Sequence, residues 1–120
     1  MVRYSDIVLD HYRRPRNAGD LPGAHRVGSA GSPQDGDTLR LAFRLDGDRI
    51  AAVRFQALGC PAAIAAGSAA TELLEGKTVD QALALTNDDV IRYLGGLPAS
   101  KRQCSVLAEQ AVRAALTALP

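Results

Sequence analysis

At Gly59-Cys60-Pro61 the apolar residues change their spacing, and the change divides the chain into a strand-forming part and a helix-forming part. Ahead of it, Leu39, Leu41, Phe43 and Leu45 alternate with Arg40, Ala42 and Arg44, the period-two pattern of a half-buried strand. Asp46-Gly47 is a tight hairpin signal, and Val53, Phe55 and Ala57 give the returning strand its core face. Beyond the change, Pro61 suits a first helical turn, and AAIAAGSAATELLE continues the helix until Gly76. Its many small side chains let a neighbouring backbone approach closely.

The flanking segments read more simply. Ser5 caps a short helix to about Arg14, with Ile7, Val8 and Tyr12 as its apolar contacts and Pro15 as its stop. Residues 15–24 are loop by composition, and a weak strand lies near residues 26–30. Thr78 and Gln81 form a capping box for a short helix to Leu85, and Thr86 or Asn87 caps another to Leu94. After the break at Gly95-Gly96-Leu97-Pro98, Ser100 with Gln103 caps a last helix. Its apolar stripe is Val106, Leu107, Ala111, Val112, Ala115, Leu116 and Leu119. Strands first and helices afterwards predict an α+β domain, a small antiparallel sheet covered by helices, with residues 1–120 as a single domain.

Composition excludes several classes. A net charge of +1 gives no general attraction to nucleic acid or to an anionic membrane. No apolar run is long enough to span a bilayer, and residues 1–16 mix charge with apolar residues instead of forming a signal core, which points to the cytoplasm. With no Trp and 4% aromatic residues the chain is a poor stacking platform for single-stranded nucleic acid. Two short motifs fail on their context. Gly76-Lys77-Thr78 ends like a phosphate-binding loop, but Thr71 stands where the loop needs glycine and the preceding residues read as helix. Asp35-Gly36-Asp37 is not a calcium loop, because Leu39 and Arg40 occupy positions needing a ligand and a glycine. His11 and His25 lack ligand-spaced partners and read as surface or capping residues, and Arg13, Arg14 and Arg16 as a solvated face.

Cys60 and Cys104 form no CxxC pair and no disulfide framework. Each falls at the start of a predicted helix, Cys104 with Lys101 and Arg102 close by. Unpaired N–H groups and the positive end of the dipole there favour thiolate. Free cysteine ordinarily packs as a small hydrophobe. Two cysteines at helix starts and an Asp-containing bend at a strand start leave a shared metal or redox site open beside that reading.

The motifs YSDIVLDHYRRPRNAG, GDTLRL, FQALGCPAAIAAGSAATELLEGKT, LTNDDVIRYLGGLP and KRQCSVLAEQAVRAAL carry more. In this order they resemble the IscU/NifU-type iron–sulfur cluster assembly scaffold proteins over almost the whole chain. The resemblance implies a three-stranded antiparallel sheet with helices packed on it. It also implies a site where three cysteines and an aspartate gather, with a histidine beside the third cysteine. Motif by motif, Asp37 matches the aspartate, Cys60 and Cys104 the second and third cysteines, and Lys101 a lysine near the site. Asp35 stands in place of the first cysteine and Gln103 in place of the histidine. Leu97-Pro98-Ala99-Ser100-Lys101 departs from the family's Leu-Pro-Pro-Val-Lys, which argues against an Hsp70-type chaperone as partner.

In function, the resemblance implies a non-enzymatic scaffold that holds a labile iron–sulfur cluster or Fe²⁺, or Zn²⁺ in its place. The ligand set would be Asp35, Asp37, Cys60 and Cys104. Cys104 would accept sulfur from a cysteine desulfurase, and the cluster would pass to iron–sulfur acceptor proteins. Lys101 would pair with Asp37 in the empty site, and Gly36 would let the backbone bend Asp37 towards the cysteines. The protein would be a monomer or weak dimer. Two oxygen ligands bind a cluster more weakly than thiolates do. A degenerate paralogue that docks to a desulfurase without building clusters is therefore the alternative, with Cys60 and Cys104 as a thiol-redox or sulfur-transfer pair the third reading.

Overall fold

The computed structural model describes residues 3–32, 34 and 36–117. Helix α1 (Asp6–Arg13) is followed by strands β1 (Arg26–Ser32), β2 (Asp37–Asp46) and β3 (Arg49–Leu58). Then come helices α2 (Pro61–Leu74), α3 (Val79–Leu83) and α4 (Asn87–Tyr93), a 3₁₀ turn over Ala99–Lys101, and helix α5 (Gln103–Leu116). The strands form one antiparallel sheet in the order β1-β2-β3, with α2 and α5 packed on it and α1, α3 and α4 against those two helices. This is the α+β architecture predicted above.

The local signals act where the sequence puts them. Ser5 Oγ accepts from the Val8 N–H and caps α1, and the Thr78–Gln81 and Thr86–Asp89 capping boxes both close. The hairpin turns through Gly47 (φ 64°) and Asp48, so that Asp46 pairs with Arg49. A bulge between Arg44 and Leu45 then pairs Leu45 with Ile50 and adds Ile50 to the core face that Val53 and Phe55 already supply. The residues 15–24 loop has a sheet role that its composition does not show. Phe55 donates to Asn17 O and accepts from the Gly19 N–H, both at 2.9 Å, while Leu21 packs on Ala42 and Ala52.

Three expectations are corrected. Ser100 lies in the 3₁₀ turn, and α5 begins after Arg102 with no side-chain cap. The buried stripe of α5 runs through Cys104, Ala108, Ala111, Val112, Ala115 and Leu116, leaving Val106 and Leu107 half-buried, while Leu119 lies outside the described residues. His11 is buried where a surface role was expected, 4% exposed between α1 and α2. Its Nδ1 faces Ser68 Oγ at 2.7 Å, its Nε2 lies 3.6 Å from Glu72, and its ring meets Tyr93 edge-on. His25 is exposed, as its surface reading expected, and accepts from the Leu45 N–H.

The His11 environment carries a pH prediction. Burial holds its pKa below the ordinary histidine value, Arg16 adds to this, and Glu72 and Asp10 oppose it. The unfolded chain regains a histidine pKa of about 6.5 and so binds the proton more readily than the fold does. Stability is therefore full above that pH and falls as pH drops towards the depressed folded value. The urea midpoint should decline as pH falls below about 7, and His11→Gln should flatten that part of the profile.

The sheet meets α5 closely because β1 offers glycine there. A Cβ on Gly28 would land on Ala111 O and Ala115 N, backbone that cannot move aside. Gly28→Ala should cost about 1–3 kcal/mol through overpacking, read as a lower midpoint of thermal unfolding.

Candidate metal centre

Three chain segments bring their ends to one place. Asp37 opens β2, and because Thr38 pairs with Leu58 the carboxylate lies beside Gly59, at the end of β3. Cys60 is the N-cap residue of α2, its backbone still extended (φ −74°, ψ 166°) ahead of Pro61. Cys104 sits in the first turn of α5, which packs on β1, β2 and α2. One ligand atom each from Asp37, Cys60 and Cys104 lies within 4.8 Å of the other two, the one such group among the described residues.

The internal geometry ties the three together. Asp37 Oδ1 accepts from the Cys60 N–H at 3.0 Å, its Oδ2 lies 3.9 Å from Cys104 Sγ, and the two sulfurs are 3.6 Å apart. Both thiols are free. Gly36 turns the chain with φ +85°, as its place before Asp37 implied. Gly59, at φ +140°, does something sequence reading missed: a Cβ there would collide with Asp37 Oδ1. Its only sequence signal is a glycine at the end of a strand, immediately before cysteine.

Burial divides the cysteines. Cys104 is fully buried with Ala62 and Ala63, under Tyr4 and Leu97, while Cys60 is partly exposed. The Cys104 thiol is pushed up to about 12, chiefly by burial; its hydrogen bond to Cys60 and the charges of Cys60 and Asp37 add to this, and Lys101 opposes it. That corrects the expectation of a thiolate at this helix start, because desolvation outweighs the helix dipole. Tyr4, which sequence reading passed over, borders the same cluster. Its phenol is raised by burial first and by the charge of Cys60 next.

The remaining predicted residues fall around this core. Lys101 is close enough for its charge to act on Cys104 and Tyr4, but among the described residues no ion pair joins it to Asp37. The Asp37 carboxylate instead faces the Cys60 N–H and the Cys104 thiol. Gln103 lines a groove of about 440 Å³ together with Gly31, Asp37, Val106, Leu107 and Gln110. Asp35 lies outside the described residues. One carboxylate and two sulfurs form a mixed donor set suited to Zn²⁺ or Fe²⁺.

The comparisons with known proteins converge. Residues 3–120 match the family model described as NifU-like N terminal domain. The chain is 46% identical over 113 residues to the iron-sulfur cluster assembly scaffold protein IscU 1 of Archaeoglobus fulgidus, covering 94% of this chain and 74% of that protein. It is 42% identical over 118 residues to the nitrogen fixation protein NifU of Azotobacter chroococcum, 97% of this chain but only 38% of that longer protein. Among solved structures, a putative iron-sulfur cluster assembly scaffold protein for the SUF system from Fervidobacterium islandicum matches with a TM-score of 0.76. It is 24% identical, and the match covers 94% of this chain and 96% of that one. At that identity the likeness shows the fold.

Proposed function

For a chain that belongs to the IscU/NifU family, with a NifU-like N-terminal domain over residues 3–120, we propose the role of a scaffold on which a labile iron–sulfur cluster is assembled and passed on. The observation that carries this is the convergence of Asp37, Cys60 and Cys104 from the starts of β2, α2 and α5. Iron and sulfur are substrates here. The two thiols bind as thiolates, and Asp37 supplies a harder oxygen ligand that loosens the hold and suits transfer. Asp35 is proposed as a fourth ligand and Lys101 as a neighbouring positive charge. Sulfur would come from a cysteine desulfurase and the cluster would leave to acceptor proteins. The protein itself makes and breaks metal–ligand bonds and turns over no organic substrate. With Zn²⁺ in place of iron, the same donors would hold it.

Anaerobic reconstitution with ferrous iron and sulfide tests the proposal. A cluster absorption band should form in the unaltered chain and be lost in Cys60→Ala and in Cys104→Ala. A protein that binds the desulfurase but yields no band overturns the scaffold reading. It would favour instead a docking module, which the shortage of thiols supports, since clusters are held chiefly by thiolates. Asp35→Cys should raise cluster retention if residue 35 is a ligand position.

A further inference from the structure

The two cysteines differ in access and touch one another, and this pairing does more than ligate. We propose that Cys60 receives sulfur as a persulfide and that Cys104 resolves it, releasing sulfide beside Asp37. The inference rests on the scaffold reading for the source of the sulfur and refines which thiol takes it, since the resemblance alone gives that role to Cys104.

Access decides the order. Cys104 has no exposed surface and is packed between Ala62, Ala63, Tyr4 and Leu97, so a donor arriving from solvent meets Cys60 first. Once Cys60 carries a terminal sulfur, its own Sγ remains the atom nearest to the Cys104 sulfur, in van der Waals contact at 3.6 Å. A disulfide needs the two sulfurs at about 2.05 Å. The closure of some 1.5 Å implied by those two distances is small for a residue in the first turn of a helix.

The step is an exchange of the thiol–disulfide type. Cys104 Sγ attacks Cys60 Sγ, and a bond forms between them. The bond from Cys60 Sγ to the terminal sulfur breaks, and its electron pair leaves with that sulfur. The Cys104 proton goes with it, so one persulfide and one thiol give one disulfide and one hydrogen sulfide. The electrons that reduce the terminal sulfur come from Cys104, and no outside reductant enters this step. A low-molecular-weight thiol then reduces the disulfide, with two molecules oxidised to their own disulfide, and restores both ligands.

Released sulfide starts next to Asp37, whose carboxylate holds the Cys60 N–H and lies 3.9 Å from Cys104. Iron held by Asp37 would meet sulfide as it is released, and the two thiols would join as ligands once the disulfide is reduced. A site with two thiols in contact thus performs in sequence the two tasks of supplying sulfide and ligating metal.

The test uses the whole chain, freed of metal and kept anaerobic, with sodium polysulfide as sulfur donor. Intact-mass spectrometry and free sulfide are followed together. The unaltered chain should release sulfide and gain a Cys60–Cys104 disulfide. Cys104→Ser and Cys104→Ala should instead keep one extra sulfur on Cys60, with sulfide release lost. Cys60→Ser should take up no sulfur over the same period. Sulfur loading of Cys104 in Cys60→Ser at the unaltered rate overturns the proposal, as does undiminished sulfide release by both Cys104 variants. Circular dichroism of each variant separates these results from unfolding. In parallel, each sample receives ferrous iron and free sulfide. A chain that forms a cluster but shows no exchange overturns the exchange alone, and one that exchanges but forms no cluster supports the exchange and overturns the scaffold reading.

Discussion

Gly59→Ala is expected to disable the proposed metal centre while leaving both cysteines in place. Two effects combine. Residue 59 has φ +140°, a conformation essentially reserved for glycine, and strain there costs about 1–3 kcal/mol. The added methyl also occupies the place of Asp37 Oδ1, so the carboxylate must swing away and give up the Cys60 N–H. The loss of zinc affinity should exceed the about 10–100-fold that removal of an outer-shell partner typically costs, because Asp37, a proposed ligand, is itself displaced. Gly36→Ala separates the two effects. It too places a methyl at positive φ, +85°, but none of the described residues lies within 4 Å of the new atom. It should lower stability by about 1–2 kcal/mol and change zinc affinity far less. In an Asp37→Ala background, Gly59→Ala should add little further loss of affinity, a non-additivity that only a shared contact produces. Equal zinc affinity in Gly59→Ala and the unaltered chain would remove Asp37 from the ligand set.

Metal uptake should depend steeply on pH. With the Cys104 thiol pushed up to about 12, this proposed ligand is protonated throughout the neutral range in the metal-free protein. Metal binds the thiolate, so each ion captured through Cys104 expels its proton, and falling pH opposes binding. One released proton makes affinity rise tenfold per pH unit, about a hundredfold between about pH 6 and about pH 8. Cys104→Ala should bind zinc more weakly and with a shallower slope. Calorimetry in buffers of different ionisation enthalpy counts the protons directly. A flat profile in the unaltered chain would mean that Cys104 contributes no bond to the metal. A deeply buried thiol therefore suits a temporary hold, since the proton competes with the metal for it.

How far the sequence reaches depends on whether the cause of a feature is local. The alternation from Leu39 to Leu45, Pro61 at a helix start and the Thr78 and Thr86 caps act within one or two turns, and each forms as expected. The start of α5 differs from expectation because Ser100 is a plausible cap in isolation, whereas the chain spends it in a 3₁₀ turn. The candidate site residues Asp37, Cys60 and Cys104 come from motif resemblance, and their proximity adds what no motif carries. The Asp37–Gly59 contact depends on the Thr38–Leu58 register, and the burial of Cys104 depends on how α5 crosses the sheet and α2. Both are long-range outcomes, as is the enclosure of His11. For Cys104 a local rule, thiolate at a helix start, lost to desolvation, and for His11 a surface position lost to packing against α2 and Tyr93.

The loop over residues 15–24 has a final consequence for the protein's behaviour in concentrated solution. Strand β3 has β2 on one side only, and its outer rim would otherwise offer a row of free amides to any passing extended chain. Asn17 and Gly19 take up Phe55 near one end of that rim, and Gly76 and Lys77 take up Ile50 near the other. The strand that leads towards Cys60 is thus fenced against edge-to-edge pairing with another chain. Shortening either fence would convert a discrete carrier into a seed for sheet growth.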